Sequence, residues 1–264
     1  MQLIFWEAPF RTLLWDQQLL KPIVENILNT DWKTYANSPQ TDVYINDSIL
    51  FVGWIFIISA LACVTAFLDY YKKISTIIIY IGAILLALVI FLEFKEKFYH
   101  TAQLIEGAIQ VGTCFLFPIW INQHIGKRRL ALLLKIVIGL CFAGHGLYAI
   151  GFYATPGKFI DMTIILLGVN ETQAKLFLHI VGWLDILIFP LLFTKFLWKP
   201  ALIYAILWGF LTSFARMAYY LVLNNFEVLA FSMLHDTLFR LSHGLIPLSL
   251  YILLSIINSK KVKL

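Results

Sequence analysis

The chain has 264 residues, of which 61% are hydrophobic and 13% charged, and its mean hydropathy is +0.83; soluble domains carry about 45–50% apolar and about 25% charged residues. A water-soluble globule is excluded, and a single membrane-embedded domain behind an extracytoplasmic amino-terminal segment is the simplest organisation. The net charge of +5 does not imply nucleic acid, because the cations sit in short clusters between apolar runs, where they set topology.

Residues 1–46 contain no run long enough to cross a bilayer. Trp6, Glu7 and Arg11 stand where a cleavable leader would have a basic start and an apolar middle, so the first span is expected to direct insertion. Phe10, Leu13, Leu14, Leu20, Ile23, Val24, Ile27 and Leu28 recur at helical spacing. Trp6, Trp15 and Trp32 suit a membrane interface. These features predict an amphipathic helix on the outer surface, punctuated by Asp31 or by Ser38 and Pro39.

A transmembrane helix needs about 20 mostly apolar residues to cross roughly 30 Å of hydrocarbon. Seven runs qualify, at about 49–68, 74–92, 101–121, 130–153, 175–194, 200–223 and 238–258. They are continuous rather than alternating, which excludes a closed β-barrel. The apolar run at 159–169 is half the required length and reads as a surface or re-entrant helix. The fold class is therefore all-α, a seven-helix membrane bundle. Cys63, Cys114 and Cys141 fall inside the runs without paired spacing, so neither a disulfide nor a zinc finger is expected.

Orientation follows the positive-inside rule. Connections one, three and five and the tail carry Lys72, Lys73, Lys127, Arg128, Arg129, Lys195, Lys199, Lys260, Lys261 and Lys263, against the single acid Asp69. This alternation places the amino terminus outside the cytoplasm and the carboxyl terminus inside, in a cell inner membrane.

Ionisable side chains within a bilayer are costly and face a bundle interior or a watery cavity. On that orientation they gather in the outer halves of five helices: Gln103, Glu106 and Gln110, then His145 within Gly144-His145-Gly146, then His179 and Asp185, then Arg216, Tyr219 and Tyr220, then Asp236, Arg240 and His243. A polar cavity near the extracytoplasmic surface is expected, lidded by the amino-terminal helix and the 159–169 segment. His145 and Glu106 are the candidates for proton exchange. Gln103, His179, Asp185, Arg216, Tyr220, Asp236, Arg240 and His243 are the candidates for ligand binding. Each has a structural alternative. Asp236 and Arg240 stand four apart and can pair locally, Asp185 or Glu106 can neutralise Arg216, and the glycines around His145 can serve helix packing alone.

Several chemistries meet this set of residues. His145, His179 and His243 could ligate a haem, but no C-x-x-C-H attachment occurs. A retinal pigment is excluded, since 238–258 contains no lysine. Glu106, His145, His179 and His243 are of metal-ligating type, but spacing alone assigns no metal, and the cofactor stays unknown.

The stretch Gly139-Leu140-Cys141-Phe142-Ala143-Gly144-His145-Gly146, followed by Pro156 with Phe159, Leu167-Gly168 and Gly182-Trp183-Leu184-Asp185, resembles the DoxX-like membrane proteins over about a quarter of the chain. The resemblance implies a small helical bundle associated with quinone or thiol redox systems. The chain departs from that pattern in having seven spans where the family typically has four, and in lacking redox cysteines outside the membrane. The expected function is an outward-facing pocket for a small or lipid-soluble molecule, with redox or acid–base chemistry. The rivals are a proton-coupled transporter and a non-catalytic subunit bound to a partner membrane protein.

Overall fold

The structure, a computed structural model, describes residues 10–223 and 234–259. Trp6, Glu7 and the tail lysines Lys260, Lys261 and Lys263 lie outside these. All regular structure among the described residues is helical. Seven helices are long and apolar enough to cross a membrane, as expected. Their outward faces are strongly hydrophobic: Phe51, Trp54, Leu61, Leu176, Ile180 and Leu207 are all at least half exposed. Water would penalise such a surface, whereas hydrocarbon solvates it.

The chain divides into two compact units, Met1–Phe98 and Tyr99–Leu264. Phe98 and Tyr99 both have positive φ, 52° and 60°, a strained backbone for bulky side chains.

The first unit contains α1 (Phe10–Leu14), α2 (Gln17–Asn26), α3 (Trp32–Asn37), α4 (Pro39–Thr65) and α5 (Lys72–Glu96). The amino-terminal segment is thus three short helices rather than one, because polar residues stop and restart it. The Asp16 side chain accepts from Leu19 N to cap α2, and Asp31 accepts from Lys33 N and Thr34 N to cap α3. Ser38, followed by Pro39 at the first helical position, starts α4. The first span accordingly begins ten residues before the apolar run, since Pro39 at the first helical position, and not hydropathy, sets its start. Phe10 of α1 is buried with Ile45, Ile49, Val89 and Leu92 of α4 and α5, and Asp16 also pairs with Lys95. On α2, Val24 is buried while Leu19 and Ile23 stay exposed, an apolar edge suited to a membrane surface.

Loss of a helix cap costs about 1 kcal/mol. Asp31→Ala is therefore expected to destabilise the protein by about that amount, and Asp31→Asn, which keeps an acceptor at the cap, by only a few tenths. Thermal unfolding of the detergent-solubilised protein, followed by circular dichroism, measures both.

The second unit contains α6 (Thr101–Glu106), α7 (Ala108–Ile121), α8 (Lys127–Ala149), α9 (Gly157–Leu167), α10 (Glu171–Leu191), α11 (Trp198–Val222), α12 (Leu234–Arg240) and α13 (Ser242–Ser259). The third and seventh spans are interrupted, between α6 and α7 at Gly107 and between α12 and α13 at Leu241. Helix α8 is the central element and contributes Leu130, Leu134, Ile138, Cys141 and Phe142 to a core completed by Ile109, Ile188, Leu202 and Leu250. The 159–169 segment forms α9, a short helix closed by Gly168 in the left-handed conformation. It packs on α10 and α11.

Candidate functional site

The site grows from three close helix crossings. A Cβ at Gly144 would come within 2.7 Å of the Ala102 carbonyl oxygen and 2.8 Å of Glu106 N, and one at Gly146 within 2.5 Å of the Gly182 carbonyl oxygen. Helix α8 therefore meets α6 and α10 through bare backbone on either side of His145. At Gly209 a Cβ would collide with the carbonyl of His243, which seats α13 against α11. The glycines around His145 thus serve helix packing, as the structural alternative had it. By drawing α6 close they also bring Glu106 to the imidazole.

The interruption of the seventh span supplies the rest. Gly244 N bonds to Leu241 O rather than to the Arg240 carbonyl, which instead accepts from Ser213 Oγ at 2.8 Å and faces His243 Nδ1 at 3.0 Å. Pro247 lacks the N–H that would reach back to His243. A side-chain network joins the pieces. Arg240 Nη2 donates to Glu106 Oε1 at 2.8 Å, and Arg240 Nη1 lies 3.2 Å from His145 Nε2. His145 Nδ1 lies 3.3 Å from Glu106 Oε1, and the Nε2 atoms of His145 and His243 are 2.9 Å apart. Four residues from four separate helices thereby form one cluster.

The cluster borders a cavity of about 420 Å³, within the range of small-molecule sites. His145, Asp185, Arg216, Arg240 and His243 supply its ionisable lining. Apart from Thr163 and Thr212 the remaining wall is apolar, with Phe142, Phe177 and Trp208 from the spanning helices and Phe159, Met162 and Leu166 from α9. Asp185 and Arg216 are 5% and 4% exposed. Tyr204 donates to Asp185 Oδ1 at 3.1 Å, and Arg216 Nη1 donates to the Thr212 carbonyl at 2.9 Å.

Of the residues expected at the site, Glu106, His145, Asp185, Arg216, Arg240 and His243 are brought together. Glu106 stands behind His145 rather than in the cavity wall. Four others, Gln103, His179, Tyr220 and Asp236, are placed outside the cavity lining. Gln103 is half-buried on α6 outside the lining. His179 is exposed, with Nδ1 3.1 Å from the Ile150 carbonyl and Nε2 accepting from Trp183. Tyr220 packs on Tyr219, with the Lys158 ammonium 5.8 Å from its ring centre.

Two pairings also differ from expectation. Asp236 accepts from Lys158 at 2.8 Å rather than from Arg240, because Arg240 is drawn to the more buried Glu106. Arg216 makes no ion pair among the described residues, so neither Asp185 nor Glu106 neutralises it directly. Of the expected lids, helix α9 forms cavity wall; the amino-terminal helix α1 belongs to the first unit, where it packs on α4 and α5.

Sequence reasoning passed over Cys141, treated as one more apolar position, and over Tyr204 and Trp208. The signal for Cys141 was present, since it stands four residues before His145 and so shares its helix face. Tyr204 and Trp208 carried no such mark, because an aromatic residue on a lipid face reads the same.

Comparison with known proteins adds no relative: no family model, no curated protein and no solved structure matches the chain.

Proposed function

We propose that this multi-pass membrane protein binds a small lipid-soluble molecule with a carbonyl or anionic head in the cavity of its second unit. The observation that carries the reading is the cavity's composition. Its wall is almost wholly apolar, and its ionisable groups, two guanidiniums, two imidazoles and one carboxyl, converge from α8, α10, α11, α12 and α13. An apolar tail gains from leaving water for such a wall, and a head with oxygen acceptors gains from a guanidinium already desolvated. Arg216 binds the head, since no carboxylate among the described residues pairs with it. His145 exchanges a proton with the bound head, and Glu106 and Arg240 hold the imidazole in place. The DoxX-like ancestry suggested by the 139–185 region belongs to the same proposal, with a quinone as one ligand of the right chemistry. So do an inner-membrane location and an extracytoplasmic amino terminus, which the cationic loops support.

The test is a fluorescence titration of the purified full chain, following Trp208 in the cavity wall against a Trp208→Phe control. One arm uses a medium-chain fatty acid and the other a short-tailed quinone. Saturable quenching by at least one of them is expected. Arg216→Ala is expected to weaken it by about tenfold to a hundredfold, the range for a lost hydrogen bond to a charged group. Unchanged affinity in Arg216→Ala and His145→Ala proteins that melt like the wild type would overturn the proposal.

A further inference from the structure

The two imidazoles of the cluster are oriented from behind. His145 Nδ1 faces Glu106 Oε1, and His243 Nδ1 faces the Arg240 carbonyl. An acceptor at Nδ1 holds the ring proton there and leaves Nε2 as a lone pair, the arrangement that prepares histidines for metal ligation. Yet the two Nε2 atoms face each other at 2.9 Å, and two lone pairs do not bond. A positive species belongs between them. Arg240 Nη1 approaches His145 Nε2 at 3.2 Å, while Nη2 of the same side chain is committed to Glu106. Cys141 adds a third donor. Its sulfur and the two imidazoles offer ligand atoms within 4.8 Å of one another, with Cys141 and His243 buried.

We infer that Cys141, His145 and His243 form a three-ligand site for a borderline-soft divalent cation, best matched by Zn²⁺. A thiolate with two imidazoles is a zinc donor set, and sites with three protein ligands keep a fourth position for water or another ligand. Both histidines also line the cavity, so that position faces the proposed binding site. The inference rests on the proposed function only in this last respect, where the metal would take an oxygen of the ligand's head; His145 exchanges protons with that head only in the metal-free protein, since a ligated imidazole has no free lone pair. On loading, Cys141 gives up its thiol proton to solvent, and Arg240 Nη1 withdraws from His145 while Nη2 keeps Glu106. Glu106 is then a positioning residue that orients the His145 ring.

The experiment uses the full chain in detergent, freed of metal with a chelator and titrated with Co²⁺ as a spectroscopic probe. Tetrahedral ligand-field bands and a thiolate charge-transfer band are expected to saturate at about one Co²⁺ per chain and to be displaced by Zn²⁺. Cys141→Ala exchanges one small buried side chain for another and should still fold. It is expected to lose the charge-transfer band, and His243→Ala to lose saturable binding. The Glu106→Gln protein is expected to bind about 10- to 100-fold more weakly while keeping the band, the size of effect typical of outer-shell partners. Absence of the bands from wild-type protein with an unaltered melt would overturn the site, as would an unchanged spectrum in Cys141→Ala. Trp208 quenching by the fatty acid in chelator-treated protein reads the binding proposal separately. Quenching without Co²⁺ bands overturns the metal site alone, and bands without quenching overturn the ligand reading alone.

Discussion

Glu106→Ala is expected to destabilise the protein by about 3–5 kcal/mol, the range for removing one partner of a buried ion pair. The carboxylate is 13% exposed and the Arg240 side chain 23% exposed, and each is held by the other inside a membrane span. Alanine at 106 leaves the guanidinium, among the described residues, with only the edge of an imidazole for company, in surroundings that solvate charge poorly. Removing both charges is a different matter, because nothing is then stranded. The double variant Glu106→Leu with Arg240→Leu is expected to recover most of the loss while abolishing ligand binding. Thermal unfolding in detergent reads the stability and the Trp208 titration reads the binding. A double variant no more stable than Glu106→Ala alone would show that the pair's hydrogen-bonding geometry, not its charge balance, holds α6 to α12.

Gly146→Val is expected to be among the most damaging single changes at the helix crossings. Its Cβ would meet the Gly182 carbonyl oxygen at 2.5 Å and Ile186 N at 3.1 Å. Backbone atoms of a packed helix cannot rotate away as a side chain can, so α8 and α10 must separate. Overpacking costs about 1–3 kcal/mol where side chains can yield and more where they cannot; the upper end is expected here, together with loss of the cavity, since His145 and Asp185 sit on the two helices forced apart. Gly126→Ala is the matched control, because a Cβ there meets nothing within 4 Å. Because Gly126 is the N-cap of α8, where alanine is disfavoured, a cost of about 1 kcal/mol or less is expected. Size-exclusion profiles and melting curves of the two variants in detergent provide the comparison, and equal behaviour would mean that the crossing is looser than its geometry implies.

How much of the molecule could be read in advance differs from element to element. The seven spans were accessible from hydropathy because the bilayer demands apolar length from every segment independently of its neighbours. Helix starts were less accessible. The first span begins at Pro39, in residues with no hydropathy signal, because Ser38 and Pro39 set the chain's entry. The interruptions at Gly107 and Leu241 were also hidden, since each depends on what packs beside it.

The same division runs through the site. That Glu106, His145, Asp185, Arg216, Arg240 and His243 belong together followed from the sequence, because charge and imidazole inside hydrocarbon must find partners. Which partner each takes did not follow. Asp236 and Arg240 have ideal helical spacing for a pair, yet each bonds elsewhere, as local spacing loses to a more buried acceptor on another helix. His179 and Gln103 share the right depth but not the right direction. One-dimensional depth is a property of the chain and could be read from it. The angle at which each helix is turned, and so the identity of every contact, is fixed only by backbone-to-backbone packing at Gly144, Gly146 and Gly209, which exists nowhere but in the folded bundle.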